Sequence, residues 1–250
     1  MRTSFLLPLV VLAFPTSPAC PAGAEDGARA VIDRAIRAVG GAERIDKVKA
    51  GRTQTKGTLH RDGQTFDFTQ ETFYHWPDQF KGILQLEADG HKVSVTTVSN
   101  GDRAWVNLDG RTRALEDRAL DEATEERHLV NVVRLTTLKD AAFDLSSLGE
   151  VKVNGRPAVA VKVTSRGHRD VRLYFDKNTG LLVKTERRGV EPASGKEFTE
   201  EKLLSDYRDV DGLKSPRRVV INRDGTTFME VEVTGVKYLE KLDDSVFARP

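Results

Sequence analysis

Seven times between residues 51 and 250 an aspartate or asparagine is followed directly by glycine: at 62–63, 89–90, 100–101, 109–110, 154–155, 211–212 and 224–225. Asp and Asn tolerate positive φ and Gly adopts it freely, so each pair favours a tight hairpin turn. The stretches between them alternate apolar and polar residues, as in TFDFTQ (65–70), HKVSVTTV (91–98), AVAVKVTS (158–165) and MEVEVTGV (229–236). A chain punctuated this way has one economical solution, an antiparallel meander of at least nine strands.

One pair raises a second reading. In SDYRDVDGLKSP (205–216) three aspartates precede a glycine, as in a calcium loop. Such a loop needs oxygen ligands at its first, third and fifth positions, Gly at the sixth and Glu at the twelfth. Placing Gly212 sixth puts Tyr207 first and Arg218 twelfth. A cation at the closing position cannot ligate calcium, so the stretch reads as a turn between strands. FDKNTG (175–180) brings its glycine one position early and reads the same way.

The hairpin rhythm breaks once. From about Glu116 to Leu138 the chain reads as a helix, with a charged first half and an apolar second half that includes Val130 and Val133. A helix inserted midway through a meander must lie over a face of the sheet or across its mouth. The expectation is that Val130 and Val133 point inward and that the charged half, with Asp121 and Glu122, is solvated. A second amphipathic helix covers residues 28–39 and stops at Gly40-Gly41.

Residues 1–24 read as an export signal. A basic start is followed by the apolar run Phe5–Phe14, too short to span a bilayer, and then by the small residues Ala22-Gly23-Ala24. Residues 25–250 then form one domain, with 116–138 as its helical insertion, located in the periplasm or secreted. The alternative is a lipid anchor at Cys20, the single cysteine. Removing residues 1–24 takes away Arg2 and no acid, leaving 38 basic and 38 acidic residues. That balance argues against a general nucleic-acid binder.

Catalytic and metal signatures are missing. GVEPASGK (189–196) has one residue too many between its glycines for a phosphate loop. Glu125-x-x-His128 has the spacing of a carboxylate-bridged metal site but lacks its second copy, and reads as a solvated helix face. No G-x-S-x-G or H-E-x-x-H motif occurs, and the five histidines are scattered. The reading is therefore no enzyme, no cofactor and no metal. What remains is apolar: Phe66, Phe68, Trp76, Phe80, Leu84, Leu86 and Trp105, with Val130 and Val133 from the helix. These are either plain core or the wall of a concave apolar site.

Two longer runs carry a family likeness. AVGGAERIDKVKAGRTQTKGTL precedes and begins the first strand. LYFDKNTGLLVKTE, followed by DYRDVDGLKSPRRVVINRDGTTFMEVEVTGVKYLEKLDDSVFARP, closes the chain. Together with a signal segment followed by a helix, they resemble the LolA/LolB-like periplasmic outer-membrane lipoprotein-sorting proteins, or lipoprotein carriers. The resemblance implies a mainly β protein with some α: a strongly curved antiparallel half-barrel of about eleven strands, with helices covering its concave face. It also implies a monomeric carrier of a lipid or acyl-chain ligand, such as a lipoprotein, with a transient membrane-associated partner. The alternatives are an envelope structural module with a filled cup, and a hydrolase whose carboxylates the sequence does not single out.

Overall fold

The computed structural model describes residues 22–88 and 90–250. The expected export signal and Cys20 fall outside these residues, apart from Ala22–Ala24 at the start of the first helix. Helices α1 (Ala22–Val39) and α2 (Ala42–Lys47) precede six strands: β1 (Ala50–Arg61), β2 (Gln64–His75), β3 (Gln79–Ala88), β4 (His91–Asn100), β5 (Arg103–Leu108) and β6 (Arg111–Ala114). Helix α3 (Asp117–Val133) and a short 3-10 turn (Thr136–Lys139) follow. Seven strands complete the chain: β7 (Phe143–Val153), β8 (Arg156–Ser165), β9 (Val171–Asp176), β10 (Leu182–Val190), β11 (Glu197–Val210), β12 (Leu213–Arg223) and β13 (Thr226–Leu239).

All thirteen strands form one antiparallel sheet in the order 6-5-4-3-2-1-13-12-11-10-9-8-7. The count exceeds the eleven expected, because the short β6 and the last hairpins all pair. Both residues of the Asx-Gly pairs at 62–63, 109–110, 154–155, 211–212 and 224–225 have positive φ. That is the two-residue turn whose twist matches the flanking strands. The aspartate-rich stretch is such a hairpin: β11 ends at Val210, β12 starts at Leu213, and the Gly212 amide donates to Asp209 Oδ1 at 2.9 Å.

The strand order has a consequence for α3. The sheet starts in its middle, where β1 pairs with β13, and its two edges are β6 and β7. These edges are consecutive in sequence, so the segment between them must carry the chain from one side of the sheet to the other. That segment contains α3, which touches both β5 and β10. On a flat sheet eight strand spacings would separate these two strands, about 38 Å at ~4.8 Å each. A 17-residue helix is only about 25 Å long. One helix meets both strands because the sheet curves around it, so the helix side is the concave side.

The main core lies between this concave face and the helices. Ala28, Ile32, Ala35 and Ile36 of α1, at helical spacing, pack on Leu145, Val161, Val163, Val171, Leu173 and Phe175. Leu129 and Val132 of α3 join them, as do Leu135 and Leu138 just beyond it. A second, smaller core sits on the convex face, where the chain's last residues fold back. Phe247 is fully buried there against Val98 and Trp105, with Phe73 and Leu242 around them.

Truncating a core side chain of α3 tests whether the helix is integral to the fold. Leu129→Ala should lower stability by roughly 2–5 kcal/mol in urea denaturation. Asp121→Ala, at an exposed position of the same helix, should change it by less than about 0.5 kcal/mol.

Candidate functional site

Cross-strand register decides which side chains share the concave face, because paired residues lie on the same side of a sheet. Gly51 pairs with Tyr74 and Tyr238, and both tyrosines line a cavity beneath α3. Alternation from Tyr74 along β2 places Phe66 and Phe68 on this face. Tyr74 pairs with Phe80, Gln70 with Leu84 and Phe68 with Leu86, which brings in the three β3 residues. Val95 pairs with Leu84 and with Leu108. On the other side, Leu59 pairs with both Phe66 and Met229, and Ile221 pairs with Met229. An apolar strip therefore runs across seven neighbouring strands, from β5 to β12.

This strip is not sealed. Phe68 is buried, but Phe66, Leu84, Leu86, Val95, Ile221 and Met229 are only half-buried and Leu108 is 50% exposed. None of them belongs to the main core, which is confined to the part of the face covered by the helices. Contiguous apolar surface that stays partly open to solvent marks binding sites.

Three other expected residues meet elsewhere on the same side. Trp76, Val130 and Val133 line a cavity of about 270 Å³ together with Val39, Ile45, Tyr74, Arg134 and Leu213. Both valines are half-buried; the buried apolar residues of α3 are their neighbours Leu129 and Val132. Trp105 is placed differently. It pairs with Val98, one residue out of step with the strip, and so lies on the convex face against Phe247. It belongs to the smaller core and not to the concave wall.

The acidic half of α3 also departs from expectation. It is seated on the sheet, not solvated. Arg187, only 7% exposed, donates to Glu122 at 3.4 Å, Glu126 at 3.0 Å and Glu200 at 3.2 Å. Lys202 reaches Glu126 at 2.5 Å, Arg169 pairs with Glu122, and the Val190 amide donates to Glu122 at 3.0 Å. Burial works against the charge of Arg187, but the three glutamates outweigh it and hold its pKa above the ordinary value. Asp121 does face solvent, but Glu122 does not.

Glu125 and His128 are likewise buried, correcting their reading as a solvated pair. Glu125 accepts from the Arg169 amide at 3.0 Å and lies 3.1 Å from His168 Nδ1. His128 Nε2 is 3.0 Å from Ser165 Oγ, and its ring stacks on His168 at 3.8 Å. Together they anchor α3 to the β8–β9 connection. The available signal was the parity of Arg187, Glu200 and Lys202. They point the same way as Val171 and Leu173, but only the cross-strand register reveals it. Among the described residues no group of three or more His, Cys, Asp or Glu is placed to hold a metal ion, and no helix is long and apolar enough to cross a membrane.

No protein-family model and no curated protein matches the sequence. Solved structures do. A LolA superfamily protein of Nitrosomonas europaea superposes with a TM-score of 0.56 at 12% identity, over 88% of this chain and 97% of that one. The chain has the LolA fold. An outer membrane lipoprotein-sorting protein domain of Vibrio parahaemolyticus gives 0.53 at 11% identity, over 87% and 97%. A DUF1329 family protein of Desulfovibrio piger gives 0.58 at 15%, over 88% and 96%. In this LolA-like chain the shared architecture is the curved open sheet with its helices on the concave side.

The buried histidine provides a pH test of the α3 anchor. Burial, and then the neighbouring His168, push His128 from 6.5 down to about 4, with Glu125 opposing. Between these values the unfolded chain binds a proton that the folded chain refuses, so stability rises with pH. The contribution of His128 is complete above pH 6.5 and is lost as pH falls toward 4. His128→Gln should flatten the dependence of melting temperature on pH between about 6.5 and 4, measured by circular dichroism.

Proposed function

We propose that the protein is a non-enzymatic carrier of lipid-like or acylated ligands, exported to the bacterial envelope by residues 1–24 and acting as a monomer. The observation that carries this reading is the apolar strip from Leu108 to Ile221, half-exposed on the concave face of a curved sheet. A ligand of fused or extended methylene groups laid on that strip would gain about 0.8 kcal/mol per buried CH₂, before ordering costs. The LolA fold supports the same reading, since one structure that shares it is described as a lipoprotein-sorting domain.

Loading such a site requires no covalent chemistry. It requires that the strip be reachable and that release be possible. The strip is open beyond the helices, so a ligand can reach it without displacing them. Release would follow when a membrane-associated partner competes for the ligand. A lipoprotein, or a lipid handed between membranes, fits both requirements.

Displacement of a fluorescent fatty acid tests the reading. Phe66→Asp and Leu84→Asp each place a charge on the strip, where an apolar chain could not cover it without a desolvation cost. Each should weaken binding roughly tenfold or more, equivalent to about 1.4 kcal/mol. Melting temperature should change little, because neither residue belongs to the two buried cores. Wild-type affinity in both variants would contradict the proposal.

A further inference from the structure

We propose that the cavity beneath the C-terminal end of α3 is the head-group end of the ligand site, and that it selects single-chain amphiphiles with an anionic head, a carboxylate above all. The inference rests on the carrier reading and narrows it to a ligand class.

The cavity walls are mostly apolar, with Arg134, the Trp76 indole and the hydroxyls of Tyr74 and Tyr238 as their polar groups. Val130, Val133, Ile45 and Trp76 surround a space of about 270 Å³, and Arg134 enters it from the residue after α3. The space is large enough for a carboxylate and several methylenes. The Arg134 side chain is only 10% exposed and stacks 4.6 Å above the Trp76 ring.

Its charge is poorly compensated. Arg134 Nη2 donates to the Ile45 carbonyl at 2.9 Å, which is a neutral acceptor. The nearest carboxylate, Asp46, stands 3.9 Å away, is 55% exposed, and accepts from Thr136 Oγ1 at 2.7 Å. A guanidinium carries a planar fork of donors suited to two-point capture of a carboxylate. Most of that fork has no acceptor among the described residues. Burial accordingly pushes the Arg134 pKa down, with Asp46 opposing.

A second donor beside it is also unused. Trp76 Nε1 is buried and has no hydrogen-bond partner. The other polar group contributed by β2 is satisfied, since the Tyr74 hydroxyl lies 3.1 Å from Thr53 Oγ1. The local balance is therefore an excess of donors and positive charge on an apolar wall. A largely buried guanidinium whose nearest carboxylate stands 3.9 Å away is best relieved by an anion that comes closer. Cationic heads would be repelled, and neutral heads would leave the charge uncompensated.

Isothermal titration of the wild-type protein with octanoate, octanol and octyltrimethylammonium separates these cases. Octanoate should bind at least tenfold more tightly than octanol, and octyltrimethylammonium more weakly than either. Octanoate should also shift the indole N–H resonance of Trp76. Arg134→Met should reduce octanoate affinity to that of octanol and leave octanol unchanged, while Arg134→Lys should keep part of the preference. Equal binding of octanoate and octanol by the wild-type protein would overturn the head-group assignment and leave the carrier reading standing. The same holds if Arg134→Met retains the preference. Failure of all three compounds to bind would overturn both. The wild-type series decides the matter even if the Met variant does not fold.

Discussion

The seating of α3 on the inner face of the sheet is the interaction on which the rest depends. The chain leaves the sheet at one edge, β6, and must re-enter at the other, β7. The helix that makes this crossing is held at its first half by Arg187, buried among Glu122, Glu126 and Glu200, and at its second half by Leu129 and Val132 in the core. The two anchors differ in kind. A buried ion pair contributes little net stability compared with apolar packing, but it punishes any arrangement that leaves one partner alone. The charged half therefore fixes where the helix lies, and the apolar half holds it there.

That placement divides the concave face in two. Where α1 and α3 lie, the face is a packed core. Beyond them the same face continues as a wet apolar strip across β5, β4, β3, β2, β1, β13 and β12. The cavity under the end of α3, with Arg134 and Trp76 in its wall, opens on the same side of the sheet. A soluble chain would normally cover or break up such a strip. Its continuity over seven strands is most simply explained by a ligand that supplies the missing cover. The convex face needs no such explanation, because there the C-terminal segment buries Trp105 and Val98 beneath Phe247.

Much of the fold was legible in the sequence, for local reasons. An Asp-Gly pair encodes its turn through backbone conformation alone, so the hairpins at 62–63, 154–155 and 211–212 could be read without knowing their partners. Alternation then put Phe66 with Phe68, and Leu84 with Leu86, on common faces. Properties that depend on which strand lies beside which were not legible. Trp105 looks like its aromatic neighbours in sequence, but register puts it one step out of phase and on the opposite face. Glu122 and Glu125 look like ordinary solvated helix residues. Their partners Arg187 and Arg169 are more than forty positions away and reach them only through the edge-to-edge crossing. The donor excess at Arg134 and Trp76 was equally hidden, since it arises from what those groups fail to meet in the folded chain.

The central claim is that the concave strip is occupied by an apolar ligand when the protein does its work. Native mass spectrometry of the protein purified without detergent from the envelope of expressing bacterial cells tests this directly. The account predicts a population heavier than the polypeptide by the mass of an amphiphile, lost on organic extraction and much reduced when Leu84 is replaced by aspartate. A bare polypeptide mass in every preparation, unchanged after incubation with fatty acids or envelope lipid, would contradict it.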